Sequence, residues 1–292
     1  MQSEIFGHES YSLHSPKQMR NIALLIGYDG AAYSGWQVQK NAVSVQGVIE
    51  SKLSGLLQEK IKVIGAGRTD AGVHAYGQVA NFHSDSNWDL AEIVYSLNCI
   101  LPPDIAIRNA ADVPDEFHSR FDAIARRYTY RIIAQKSPMV RHFVALFHYD
   151  LSIDLMNEAS AFLVGMRSFK SFTKYADEQR SFVCSVVKAS WETEAGRNSE
   201  TAKMKESPNP RFPGFPILRF EIEADRFLHG MVRAIVGTLI DVGRRKISVE
   251  NFKGILNSED RTMAAMSAPE CGLCLEEVRY GFEIWRTDAH RR

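Results

Sequence analysis

The sequence lacks an excess of charge of either sign, a high density of cysteine and any long apolar run, and each absence removes a class of protein. Lys+Arg and Asp+Glu both number 35 in 292 residues, so the formal net charge is zero. A basic nucleic-acid coat is therefore excluded for the chain as a whole, though not a local basic patch. Four cysteines (Cys99, Cys184, Cys271 and Cys274) are too few for a disulfide scaffold and fit a reducing compartment. No apolar stretch approaches the ~18–20 residues that span a bilayer, so no membrane segment is expected. MQSEIFGHESYSLHSPKQ at the start carries no basic region ahead of an apolar one, and its single Lys and two acids make a poor transit peptide. Residues 1–18 are read as a flexible extension and the compartment as cytoplasm. What is present, 45% hydrophobic and 24% charged residues, is ordinary for a globular protein, and the length suits two domains.

Periodicity predicts the elements. RNIALLIGY (20–28) reads as a strand, and residues 45–59 carry Val45, Val48, Ile49, Leu53, Leu56 and Leu57 at helical spacing. Residues 61–66 and 75–83 read as strands. Asp89 caps a helix that Pro102-Pro103 stops, and residues 104–109 return as a strand. The order β-α-β-β-α-β is that of a ferredoxin-like half. From residue 118 the chain predicts a strand at 125–135, a helix from Ser152 to about Leu163 and strands near 182–194 and 216–225. A buried helix over 227–243, a polar helix over 249–257 and a strand over 272–280 complete it. The polar stretch 195–214 is read as a loop or insertion. The expected fold is α+β: two ferredoxin-like, RRM-like halves with largely antiparallel sheets flanked by helices and a cleft between them. Residues 19–117 form the N-terminal half and 118–292 the C-terminal half.

Charge is segregated within the zero total. Seven acids face one Arg between Asp85 and Glu116, four arginines face one acid between His118 and Arg131, and five basic residues face two acids between Asp225 and Lys246. Such asymmetry suits one face for a polyanion; two solvated charged surfaces are the alternative.

Three stretches carry candidate chemistry. In GAGRTDAGVH (65–74), glycines bracket Arg68, Thr69 and Asp70, and a carboxylate on a tight loop between strands suits a nucleophile or general base. The alternatives are a phosphate cradle, which would lack the Lys-Ser/Thr ending of a P-loop, a dinucleotide fingerprint without its following helix, and a plain turn with an Asp bonded to its own backbone. In RFLHGMVRAIVGTLIDVGR (226–244), apolar residues cover most of the helix. Arg226, Gly230, Arg233, Gly237 and Arg244 fall within about 60° on a separate stripe. Arg233 has no acid three or four residues away, so its partner comes from elsewhere in the chain or from a ligand, a backbone carbonyl or solvent being the alternative. In ARRYTYR (125–131), alternation puts Arg126, Tyr128 and Tyr130 on one face, where they could stack on bases and hold phosphates or simply pack. The lone Cys271-Gly-Leu-Cys274 has neither a second ligand pair for zinc nor a following helix for a redox motif. His74 and His229 are read as structural.

GAGRTDAGVHAYGQVANF resembles the catalytic signature of the tRNA pseudouridine synthase A (TruA) family. The resemblance extends, in order, to YDGAAYSGWQVQ, NCILPPDI, FHSRFDAIARRYTYRI, FLHGMVRAIVGTLIDVGR and APECGLCLEEVRY, covering about residues 20–280. It implies an isomerase that converts uridine to pseudouridine in the anticodon arm of tRNA (positions 38–40 in bacterial members). It also implies two α+β halves flanking a cleft, a homodimer, and no metal or cofactor. Asp70 matches the family's catalytic aspartate, Arg233 its basic partner, Arg68 the arginine that helps displace the target base, and Tyr128 the tyrosine against the uracil. Leu273 or Leu275 would lie beneath the base. The extension 1–18, the 195–214 loop, Gly230, Ala234 and the Cys-Gly-Leu-Cys stretch depart from the usual pattern.

Overall fold

The apolar run Ile22–Ile26 in RNIALLIGY builds a strand covered on both faces, β1 (Arg20–Tyr28). Ile22, Leu24, Ile26 and Tyr28 enter the main core, and Ala23 on the opposite face joins a small cluster with Phe117 and Ile284. The computed structural model describes residues 19–174, 181–194 and 216–285. The expected N-terminal extension (1–18) and the whole of the 195–214 loop lie outside those residues.

Helix α1 (Val45–Leu57) starts where Ser44 accepts the Gly47 amide at 3.2 Å and buries Val45, Ile49, Leu53 and Leu57 along one stripe. Between 61 and 66 only β2 (Ile64–Gly65) pairs as a strand. The reason is local: the amides of Ile61 and Val63 donate to Ser54 Oγ at 3.0 Å and Glu50 Oε1 at 3.0 Å, side chains of α1, rather than to a ladder. Strand β3 (His74–Ser84) follows, then α2 (Leu90–Ile100), capped by Asp89 on the Ala91 amide at 2.8 Å. Strand β4 (Ile105–Val113) runs longer than expected because it pairs along nearly all of β1.

Next come β5 (Ala123–Ile133), the short β6 (Ala145–Leu146), α3 (Ile153–Ala161), β7 (Gly165–Ser168), β8 (Val183–Glu194) and β9 (Ile217–Ala224). Helices α4 (Met231–Gly243) and α5 (Val249–Ser258) precede β10 (Leu273–Tyr280). Helix α4 begins four residues later than apolar periodicity predicts. Asp225 Oδ1 accepts the amides of Ser185 and Arg226, the His229 carbonyl accepts Lys174 N, and Gly230 sits at φ +68, so the chain is held out of helix until Met231. Arg226 and Gly230 therefore do not belong to a helical stripe with Arg233.

The fold is α+β. The strands join in one mixed, mostly antiparallel ten-stranded sheet with the path β4-β1-β3-β10-β5-β9-β8-β7, β2 pairing with β3 and β6 with β5. Strand β10, from the far end of the chain, lies between β3 and β5, and its pairing with β3 is parallel (His74 opposite Cys274, Ala75 opposite Leu275). Two parallel neighbours start at the same edge, so the loop entering β3 and the turn entering β10 lie side by side. The β4–β5 link is fixed as well: Asn21 Nδ2 donates to the Phe117 carbonyl at 2.9 Å, and Asn81 Oδ1 accepts from Ser119 N at 3.0 Å.

Candidate active site

The loop between β2 and β3 is tied down along its length by backbone. Ala66 N donates to Val79 O at 2.8 Å, Trp36 N to Thr69 O at 3.1 Å, Gly72 N to Tyr33 O at 3.2 Å and Val73 N to Asp70 O at 3.2 Å. Thr69, buried, shares a 2.8 Å hydrogen bond with the Tyr28 hydroxyl. The amides a phosphate cradle would need are thus spent inside the protein at Ala66, Gly72 and Val73. The Asp70 carboxylate is not bonded to its own loop either. It points across to α4.

There Arg233 Nη1 donates to Asp70 Oδ2 at 3.4 Å. The partner that Arg233 lacked in its own helix comes from 163 residues earlier in the chain. Two groups that sequence reasoning did not place at the site are also present. His229 Nε2 is 3.6 Å from Asp70 Oδ1, and Glu270 Oε2 accepts from Arg233 Nη2 at 3.0 Å. His229 lies in the turn just before α4, and its place in the same stretch as Arg233 is the one signal that could have flagged it. Glu270 had no such signal, because its closeness to Arg233 depends on the chain between α5 and β10. Asp70 and Arg233 keep 23% and 20% of their side-chain surface, enough for a ligand to reach both.

Tyr128 on β5 is buried and meets the Phe227 ring edge-on, with centroids 5.1 Å apart at 85°. Burial first, and then the nearby Asp70 charge, push its phenol pKa well above the ordinary value. The ring is therefore neutral at physiological pH, which suits packing against a base better than proton abstraction. Leu275 stands directly opposite Tyr128 in the β5–β10 ladder and Leu273 opposite Tyr130, all four on one face of the sheet. Arg68, next to Asp70 on the loop, is exposed.

The other arginines of the basic clusters are mostly committed inside the protein. Arg126 donates to the carbonyls of Ala66 (3.1 Å), Arg120 (2.6 Å), Ala123 (2.8 Å) and Asp225 (2.7 Å). Arg127 pairs with Glu277 and Glu221, Arg131 with Glu276 and Glu194, and Arg244 and Lys246 with Asp241. Of the two alternatives left open for the ARRYTYR arginines, these bonds favour packing within the protein over holding phosphates. Arg126 shares its face with Tyr128, but its guanidinium knits β5 to the Asp70 loop.

His74, at the end of that loop, is buried. Its Nδ1 accepts the Gly30 amide at 3.0 Å, so the ring is neutral and the nearby Asp29 (3.1 Å) is a contact rather than an ion pair. Burial lowers the His74 pKa from its ordinary value. The unfolded chain then binds the proton more readily, so stability is fully present above ~6.5 and is lost as pH falls from there through the lower folded value. The melting temperature should therefore decline between pH 7.5 and 5, and His74→Asn should flatten the decline. Parallel slopes in the two proteins would remove His74 from the account.

Both partners of the Asp70–Arg233 pair fall within the segments of the chain that match a family of known proteins. The family model described as tRNA pseudouridine synthase matches residues 24–122 and 159–281, which contain both partners. The chain belongs to the tRNA pseudouridine synthase family. Three relatives each bear the name tRNA pseudouridine synthase A. That of Bacteroides thetaiotaomicron is 37% identical over 273 residues, covering 94% of this chain and 95% of the relative. That of Geobacter sp. strain M21 is 40% identical over 265 residues, covering 90% and 99%. That of Thermoanaerobacter sp. strain X514 is 38% identical over 264 residues, covering 90% and 100%. No helix among the described residues is long and apolar enough to cross a membrane.

Proposed function

We propose that this chain is an isomerase that converts uridine to pseudouridine in tRNA, at positions 38–40 of the anticodon stem-loop, with Asp70 as the catalytic carboxylate. The observation that carries the reading is the Asp70–Arg233 pair, held at 3.4 Å within the segments that match the family. The reaction breaks the N1–C1′ bond, turns the uracil and forms C5–C1′. C5 loses a proton and N1 gains one, so the atoms balance without any co-reactant. The target nucleotide must leave its stack, at a cost of a few kcal/mol recovered in pocket contacts. Arg68, exposed beside Asp70, holds phosphate or fills the vacated space. Tyr128 packs on the extruded base, with Leu275 behind it across the ladder. Asp70, beside Arg233, acts on C1′ or C6 or on a sugar proton.

The division of the chain near residue 117 puts the Asp70 loop in one half and Arg233 in the other, so the site forms at their join. The protein works as a homodimer in the cytoplasm, and mass measurement in solution tests the dimer.

The deciding experiment incubates the purified protein with unmodified tRNA transcripts and maps pseudouridine by mass spectrometry. Product at 38, 39 or 40 supports the full reading. Product elsewhere retains the reaction and overturns the position. No product overturns the enzyme. Tyr128 adds a further expected result: Tyr128→Leu lowers kcat by about tenfold to a hundredfold, and Tyr128→Phe by much less, since base stacking is worth about 1–3 kcal/mol. Equal losses in the two variants point to the hydroxyl instead.

A further inference from the structure

Arg233 is better bonded to the segment before β10 than to Asp70. Its Nε donates to the Ala268 carbonyl at 2.8 Å and its Nη2 to Glu270 Oε2 at 3.0 Å, both shorter than the 3.4 Å contact with Asp70. Its own carbonyl accepts Ala268 N at 2.9 Å, so main chain and side chain of Arg233 are both clasped by one residue. The clasp is anchored from below, where the Tyr130 hydroxyl donates to Pro269 O at 2.8 Å. Glu270 also lies against the Asp70 loop. A Cβ at Gly72, where φ is +77, would sit 2.3 Å from Glu270 Cγ. One side chain therefore touches both the loop that presents the carboxylate and the cation that faces it.

A guanidinium is a planar fork, and fixing two of its nitrogens fixes where the third points. Resting on the function proposed above, we infer that Glu270 is a positioning residue. Together with the Ala268 carbonyl it sets the plane of the Arg233 guanidinium so that Nη1 faces Asp70, and it shares the cation's charge between two carboxylates. Asp70 then meets a cation already oriented, at a distance that leaves the carboxylate oxygen available to substrate. The charged and titratable groups facing Asp70 are Arg233 and His229 from the α4 side, Glu270 from the turn before β10 and Tyr128 from β5.

The test compares parent, Glu270→Ala and Glu270→Gln on a tRNA transcript, measuring kcat, KM and the melting temperature. Glu270→Ala frees the fork, and kcat should fall about tenfold with KM within about twofold, the scale of one charge-assisted hydrogen bond. Glu270→Gln keeps an acceptor oxygen and should recover most of that loss. A kcat for Glu270→Ala within twofold of the parent overturns the proposal. So do a loss confined to KM, and equal losses of kcat in both variants. If Glu270→Ala does not fold, Glu270→Leu, which fills the space without an acceptor, replaces it under the same criteria. An inactive parent would instead refute the enzyme reading, and the two failures are thereby distinct.

Discussion

Asp70→Ala should reduce pseudouridine formation in tRNA to background, a loss of at least about 10⁴-fold on the scale seen when an enzyme's central reactive group is deleted. The fold should survive. The loop is held by Ala66, Thr69, Gly72, Val73 and His74, none of which uses the Asp70 side chain, and Arg233 keeps its bonds to Ala268 and Glu270. The melting temperature should therefore stay within a few degrees of the parent, and tRNA affinity within severalfold, because Arg68 and Tyr128 are untouched. Single-turnover assay together with filter binding separates the two effects. Turnover within tenfold of the parent would falsify the assignment of Asp70 as the reacting group.

Arg233→Leu should damage both chemistry and stability. It removes the donors to Ala268 O, Glu270 and Asp70 and leaves two carboxylates near one another without their shared cation. Breaking a fully buried pair costs about 3–5 kcal/mol. Asp70 and Glu270 keep 23% and 48% of their side-chain exposure, so water relieves part of that cost. An expected loss of about 2 kcal/mol follows, or about 3–6 °C in melting temperature for a chain of this size. Activity should drop by at least about a hundredfold, as when a preorganised charged donor is lost. Arg233→Lys, with a point charge in place of a fork, should recover stability more than rate. A Leu variant that melts and turns over like the parent would mean that the pair has no role in solution.

The elements were largely legible because local chemistry sets them. Asp89 does cap α2, and alternation in β5 puts Tyr128 and Tyr130 on one face as expected. The misses share a cause. Ile61 and Val63 look like strand residues, but side chains of α1 take their amides. Phe227 and Leu228 look like helix residues, but Asp225, Lys174 and Gly230 hold the segment out of the helix. In each case a partner from another element overrode the local preference.

The site divides in the same way. Residue type and spacing, which the chain carries locally, marked the glycine-bracketed loop with Asp70 and Arg68, an arginine on an apolar helix that needed a distant partner, and an aromatic face on β5. The family resemblance added the expectation that Asp70 and Arg233 pair. Only the tertiary structure put the two within reach of each other, brought Glu270 and His229 to them, and made Arg126 a structural tie. The physical reason is the parallel pairing of β3 with β10, which brings residues 65–73 and 268–272 to one edge of the sheet, beside the first turn of α4. A contact between residues 163 positions apart leaves no trace in local periodicity.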